Sequence, residues 1–293
     1  MAQVVDKMSR EVRTLAFWRA CLAEFIGTLF FVFLGLGSTT AIIGPDLVRI
    51  SLAFGLAIAT MVHCTAHISG GHLNPAVTIG FLVTHGITPL RAIIYVVAQV
   101  LGGIAGAGLL SGLVPTEGTI PASANITGWT WSGGPTVPGP GVQDYQAFIM
   151  EIFLTFQLVF TVFSTVDPDR KGFTGSGPLA IGLAVLLGHL AGITISSASM
   201  NPARSIASAV VSGNWTAHWA YWVGPILGGI LAAAIYDIVL APSTDINRLR
   251  KCVTCEYDAG ADDENMEDID LSLRSIVNQG HPPDETNTGG NKL

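Results

Sequence analysis

The chain has 293 residues, of which 49% are hydrophobic and only 12% charged, whereas an ordinary soluble domain carries roughly 25% charged residues. Mean hydropathy is +0.52, and several uncharged runs reach the roughly 20 apolar residues that a bilayer-spanning helix needs, which excludes a soluble globular reading. The net charge of −7 belongs largely to the stretch Glu256 to Asp270, with eight acidic residues, so no nucleic-acid partner is expected.

In chain order, residues 1–14 form a polar, basic segment carrying Lys7, Arg10 and Arg13. The first apolar run, 17–40, is too long for a signal-peptide core and has no clear cleavage site, so it reads as a span that also directs insertion. A second span covers 49–68. Ser69-Gly70-Gly71-His72-Leu73 then breaks the apolar pattern, and Asn74-Pro75-Ala76 opens a short apolar run over 76–83. A third span covers 89–113. The loop 114–144 is rich in Gly and Pro and holds the sequon Asn125-Ile126-Thr127. Spans four and five cover 145–166 and 178–196. The polar stretch 196–200 leads into Asn201-Pro202-Ala203, a second short run ends at 211, and Asn214-Trp215-Thr216 is a second sequon. The sixth span covers 218–240. Residues 244–293 form an acidic tail without apolar periodicity, expected to be disordered and a candidate for cytoplasmic partners.

Six spans put both termini on one side. Twelve of the fourteen Lys and Arg residues then fall with the termini and only Arg49 and Arg204 opposite, which places both termini in the cytoplasm by the positive-inside rule. Asn125 and Asn214 fall outside and are candidate N-glycosylation sites. Cys21 and Cys64 lie in spans, where a small buried hydrophobe is expected, while Cys252 and Cys255 sit just beyond the last span as candidates for palmitoylation.

The chain also contains itself twice. Glu24 matches Glu151, Gly55-Leu56-Ala57 matches Gly182-Leu183-Ala184, Ile68-Ser69 matches Ile195-Ser196, Asn74-Pro75-Ala76 matches Asn201-Pro202-Ala203, and Gly102 matches Gly229, always 127 positions apart. The repeats run over about 15–113 and 145–240. Three spans per half invert the second copy relative to the first, and inverted repeats place their functional site near the midplane. Asn is a good N-cap and Pro a good first helical residue, so each triplet starts a half-length helix. About eight residues reach only about 12 Å, so one half-helix dips in from each face. Non-helical backbone at that depth is tolerated only where it is protein-buried or lines a wet cavity.

Ala23-Glu24-Phe25, His67 through Thr78, Gly188-His189, Met200 through Ser205 and His218 through Pro225 together resemble the aquaporin family, specifically its water-selective animal branch, over roughly residues 15–243. The resemblance implies an all-α integral membrane fold: six transmembrane helices plus two re-entrant half-helices in an inverted repeat. It also implies a passive, water-selective, osmotically driven channel that excludes protons and ions, assembled as a homotetramer in the cell membrane.

Asn74 and Asn201 are expected to present amide N–H groups to a central water, and the half-helix N-termini add roughly half a positive charge each. Carbonyls of 69–72 and 196–199 are expected to form two acceptor ladders, with Gly70, Gly71 and His72 lining the path. A charged residue within a span is functional by default. By resemblance, Arg204 joins Phe54, His189 and Ala198 at an outer constriction. Buried Glu24 and Glu151 are expected to accept from the loop N–H groups, which have no ladder partner. His63 and His67 are expected to pack or make a turn contact. Gly102/Gly106, Gly108/Gly112, Gly188/Gly192 and Gly224/Gly228 are spaced for close helix approach.

The competing functions are a glycerol-conducting relative, expected to carry a small residue in place of His189 and Asp in place of Ser205, and a junctional protein with a vestigial pore. The polar residues form no nucleophile–base set, so an enzyme is not expected, and neither a metal nor a cofactor is.

Overall fold

The computed structural model describes residues 2–40, 46–114, 131–170 and 175–242, and within them the regular structure is helical. The sequon at Asn125, the cysteines at 252 and 255 and the acidic tail lie outside the described residues. The helices are α1 (Ala2–Glu11), α2 (Leu15–Gly37), α3 (Leu47–Ser69), α4 (Pro75–Val83), α5 (Pro89–Leu113), α6 (Asp144–Val166), α7 (Gly177–Ser196), α8 (Pro202–Ser212) and α9 (Ala220–Ile235), the last extended by a π-helical turn, Tyr236–Leu240. Six are long and apolar enough to cross a membrane: α2, α3, α5, α6, α7 and α9 with its π turn. A helix of 23 residues is about 34 Å long, enough for a hydrocarbon core of about 30 Å. The half-helices α4 and α8 have 9 and 11 residues and reach only about half as far.

Local sequence chemistry starts these helices. Thr14, Asp46, Thr88 and Ser176 accept from backbone N–H groups of the first turns of α2, α3, α5 and α7. Asn74 and Asn201 do the same for α4 and α8, each followed by Pro. A side-chain oxygen and a proline answer the orphan N–H groups of a first turn. Exposed Leu22, Leu56, Leu101, Phe153 and Leu187 give the bundle an apolar outer surface, suited to acyl chains.

The packing has a two-fold pseudosymmetry. α2 packs on α3 and α5 as α6 packs on α7 and α9, α5 packs on α8 as α9 packs on α4, and α3 packs on α7 across the pseudo-axis. That last crossing is glycine to glycine: a Cβ on Gly55 would lie 2.8 Å from the Gly182 carbonyl, and one on Gly182 2.5 Å from the Gly55 carbonyl. Gly182→Leu should therefore force α3 from α7 at a cost of about 1–3 kcal/mol or more. It should lower the thermal midpoint of the detergent-solubilised protein; an unchanged midpoint would contradict the crossing.

Four sequence expectations are corrected. The repeat register of 127 does not persist into α5 and α9: the carbonyls of Phe25 and Ile152, themselves 127 apart, crowd Gly102 and Gly228, and those of Ala203 and Ala76 crowd Gly103 and Gly229. The matching offset there is 126, and Gly102 pairs with Gly228, not Gly229. Gly108 and Gly112 face open space instead of a helix. Cys64 is exposed, unlike buried Cys21, and His63 and His67 lie on the same exposed face of α3.

The segment before α2 is not featureless either. Glu11, at the end of α1, accepts from Thr88 Oγ at 2.7 Å and pairs with Arg91. Arg91 donates to the Tyr95 hydroxyl at 3.1 Å.

Candidate functional site

The two half-helices meet start to start. Asn74 Oδ1 accepts from Ala76 N–H and Asn201 Oδ1 from Ala203 N–H, both at 2.9 Å. Each amide nitrogen then reaches across to the other repeat: Asn74 Nδ2 donates to the Met200 carbonyl at 2.7 Å and Asn201 Nδ2 to the Leu73 carbonyl at 2.9 Å. An amide NH₂ has two hydrogens, so these crossed bonds use one from each asparagine and leave one from each. The crossed pair fixes both asparagine side chains and joins the repeats.

The loops leading into the triplets repeat one backbone path. Gly70, Gly71 and Leu73 have φ of 88°, 61° and 50°, and Ser197, Ala198 and Met200, their counterparts 127 residues on, have 61°, 47° and 52°. The left-handed region is easy for glycine and unfavourable for other residues. The second loop is held there without any glycine, so tertiary contacts must compensate.

A buried glutamate supplies those contacts in each half. Glu24 accepts from Ser69 Oγ (2.6 Å), His72 N–H (3.0 Å), Leu73 N–H (2.7 Å) and Gln99 Nε2 (2.7 Å). Glu151 accepts from Ser196 Oγ (2.7 Å), Ser199 N–H (2.8 Å) and Met200 N–H (2.7 Å). Both carboxyls are fully buried. Two serines and four backbone donors thus converge symmetrically. Gln99 breaks the symmetry, and no signal in the local sequence pointed to it. It also donates to Thr78 Oγ at 2.9 Å.

A cavity of about 1040 Å³ runs from the arginine-bearing end, at Arg19 and Arg91, to Asn74 and Asn201. Apolar side chains such as Val62, Phe81 and Val185 line it, together with Gly70, Gly71 and His72. His72 stacks on Phe81 with ring centroids 4.6 Å apart, and its Nδ1 lies 3.2 Å from Thr78 Oγ. The Thr78 hydroxyl donates to the Asn74 carbonyl at 3.0 Å, so the shared proton belongs to His72 Nδ1, and Nε2 is an acceptor in the neutral ring. One carbonyl of the expected ladder is already engaged: Ser69 O accepts from the Tyr95 hydroxyl at 3.0 Å.

Phe54, His189 and Arg204 lie together outside that cavity's lining. The rings of Phe54 and His189 stack at 4.6 Å, and the Arg204 guanidinium sits 5.0 Å from the Phe54 centroid. Ala198 is fully buried, two residues after the end of α7. His189 Nδ1 lies 2.9 Å from the Val185 carbonyl; a carbonyl only accepts, so Nδ1 carries the hydrogen and Nε2 is an acceptor in the neutral ring. Arg204 Nη1 donates to the Gly134 carbonyl at 3.1 Å and to Ser208 Oγ at 3.4 Å. Arg204 Nε and His189 Nε2 are buried without a partner among the described residues. The cluster therefore offers one unsatisfied donor and one unsatisfied acceptor beside an aromatic wall. Gly134, in the loop before α6, was not foreseen as an Arg204 partner, because its carbonyl is a long-range contact.

Asn214 lies just beyond Gly213, which caps α8, is half-buried, and accepts from Thr216 N–H at 3.1 Å. Its neighbour His218, outside the spans, has its pKa lowered by burial and accepts from the Trp222 indole N–H at 3.2 Å.

Comparison with known proteins gives consistent matches. The family described as Major intrinsic protein matches residues 11–236. Mouse (Mus musculus) Aquaporin-4 is 47% identical over 246 residues, covering 82% of this chain and 73% of that protein. The lens fiber major intrinsic protein of Lithobates pipiens is 48% identical over 234 residues, covering 79% and 85%. Among solved structures, the aquaglyceroporin from Plasmodium falciparum superposes with a TM-score of 0.67 at 27% identity, over 77% of this chain and 98% of that one.

Proposed function

The chain belongs to the major intrinsic protein family, and we propose that it is a membrane channel selective for water, passive and driven by osmotic gradients. One observation supports the selectivity most directly: Phe54 touches both His189 and Arg204, and Arg204 Nε and His189 Nε2 have no partner among the described residues. A single water, as donor and acceptor at once, has the bonding capacity that such a donor and acceptor call for. A larger polyol must in addition pass a stacked phenylalanine and a bulky imidazole. His189, where a small residue would widen the site, and Ser205, where Asp would mark the glycerol branch, favour water over glycerol.

The central asparagines support exclusion of protons. Their remaining amide hydrogens and the two half-helix N-termini turn positive potential toward the midplane, and a water accepting from both has its own hydrogens directed away along the path. By the same reading the protein functions as a homotetramer in the cell membrane. Both termini face the cytoplasm, and Asn125 and Asn214 lie on the outer side.

The test is osmotic. Vesicles holding the purified protein should shrink quickly in a sucrose gradient and recover no faster than protein-free lipid when glycerol replaces sucrose. Rapid glycerol-driven reswelling would reject water selectivity.

A further inference from the structure

One serine beside the outer constriction binds the loop before α6 by both backbone groups of a single loop residue. Ser197 caps α7 and directly precedes Ala198. Its hydroxyl donates to the Val137 carbonyl at 2.7 Å and accepts from the Val137 N–H at 3.2 Å, so one side-chain atom satisfies both backbone groups of a loop residue. Three residues earlier in that loop, the Gly134 carbonyl accepts from Arg204 at 3.1 Å. Two more contacts pin the loop: Gly139 N–H donates to the Ile195 carbonyl at 2.8 Å, and the Trp131 indole N–H donates to Thr39 Oγ at 3.0 Å.

Ser197 sits at φ 61°, a backbone state that favours glycine, and its counterpart in the first half, 127 residues back, is Gly70. A serine there bears a backbone penalty that glycine would not, and its hydroxyl bonds are what it provides in return. Besides its packing on Phe54, Arg204 has few hydrogen-bond restraints beyond the loop. Among the described residues its only other bonded acceptor is Ser208 Oγ, at 3.4 Å, and its Nε has no partner. A guanidinium on a long flexible stem, without the Gly134 carbonyl, would sample positions away from Phe54.

We propose that Ser197 is a positioning residue of the outer constriction: by locking Val137 it fixes the Gly134 carbonyl, and through it the Arg204 guanidinium, so the loop sets the width of the opening. This rests on the reading of Phe54, His189 and Arg204 as the selectivity filter.

The experiment compares Ser197→Gly, Trp131→Phe, Arg204→Val and the unmodified protein in liposomes, reading the ratio of urea to water permeability. Ser197→Gly keeps the left-handed backbone and removes only the hydroxymethyl group. The expected ratio rises about threefold, equivalent to about 0.65 kcal/mol of barrier difference, with water flow per channel retained. Trp131→Phe, on the other side of Gly134 in the same loop, should move the ratio the same way. A purely structural role would lower the number of active channels and leave the ratio unchanged. If Arg204→Val raises the ratio and neither loop variant does, the positioning role is overturned and the filter stands. If no variant raises it, both fall.

Discussion

Arg204→Val combined with His189→Ala should open the channel to glycerol and urea, raising their permeability at least about tenfold, or about 1.4 kcal/mol of barrier, while water flow persists. The Phe54 wall would keep its place but lose the two groups packed against it: the imidazole stacked at 4.6 Å and the guanidinium 5.0 Å away. Valine is a suitable replacement because the first half-helix carries Val77 at the position 127 residues before Arg204. The start of a half-helix in this fold thus accommodates that side chain. The effect is read as solute-driven reswelling of proteoliposomes after osmotic shrinkage. Solute exclusion identical to the unmodified protein would remove these residues from the filter.

Glu151→Ala should abolish osmotic conductance. The carboxyl takes three donors, Ser196 Oγ and the N–H groups of Ser199 and Met200, in a place closed to solvent. Each buried donor left without a partner costs about 1–3 kcal/mol, against a total stability of about 5–15 kcal/mol for a typical protein. The loop would rearrange to satisfy its N–H groups, releasing Ser197, Ala198 and Met200 from their left-handed backbone and displacing Asn201. Glu151→Gln keeps one acceptor oxygen but turns an NH₂ toward backbone donors, so an intermediate loss is expected. Thermal midpoint and water permeability per protein, measured together, check both variants. Full water flow in Glu151→Ala would show that the loop does not depend on its carboxyl.

Much of this architecture was legible because its cause is local. Asn followed by Pro starts a helix through its own side chain and its own missing N–H, so both half-helices could be read from 74–76 and 201–203. The spans followed from hydropathy, which is additive along the chain. What escaped depended on which residues face each other. Gly102-Gly103 and Gly228-Gly229 are both pairs, so offsets of 126 and 127 each align glycine with glycine, and only the carbonyls that crowd them separate the two. Gly108 and Gly112 have the spacing of a helix contact but lie on an outward face, which spacing alone does not reveal. The Gln99, Tyr95 and Gly134 contacts join residues 21 to 75 positions apart in sequence, with no periodic signal linking them. The helical character of α1 became meaningful only through Glu11 and its distant partners Thr88 and Arg91.

The crossed bonds between Asn74 and Met200 and between Asn201 and Leu73 define the centre of the proposed water path. Its most direct test follows osmotic shrinkage and internal pH together, in liposomes that contain the purified protein and a trapped pH-sensitive dye, under an imposed sucrose and pH gradient. The account predicts water efflux far faster than in protein-free vesicles, with the pH gradient decaying at the protein-free rate. Water efflux no faster than through lipid alone, or a pH gradient that collapses along with the water flow, would contradict it.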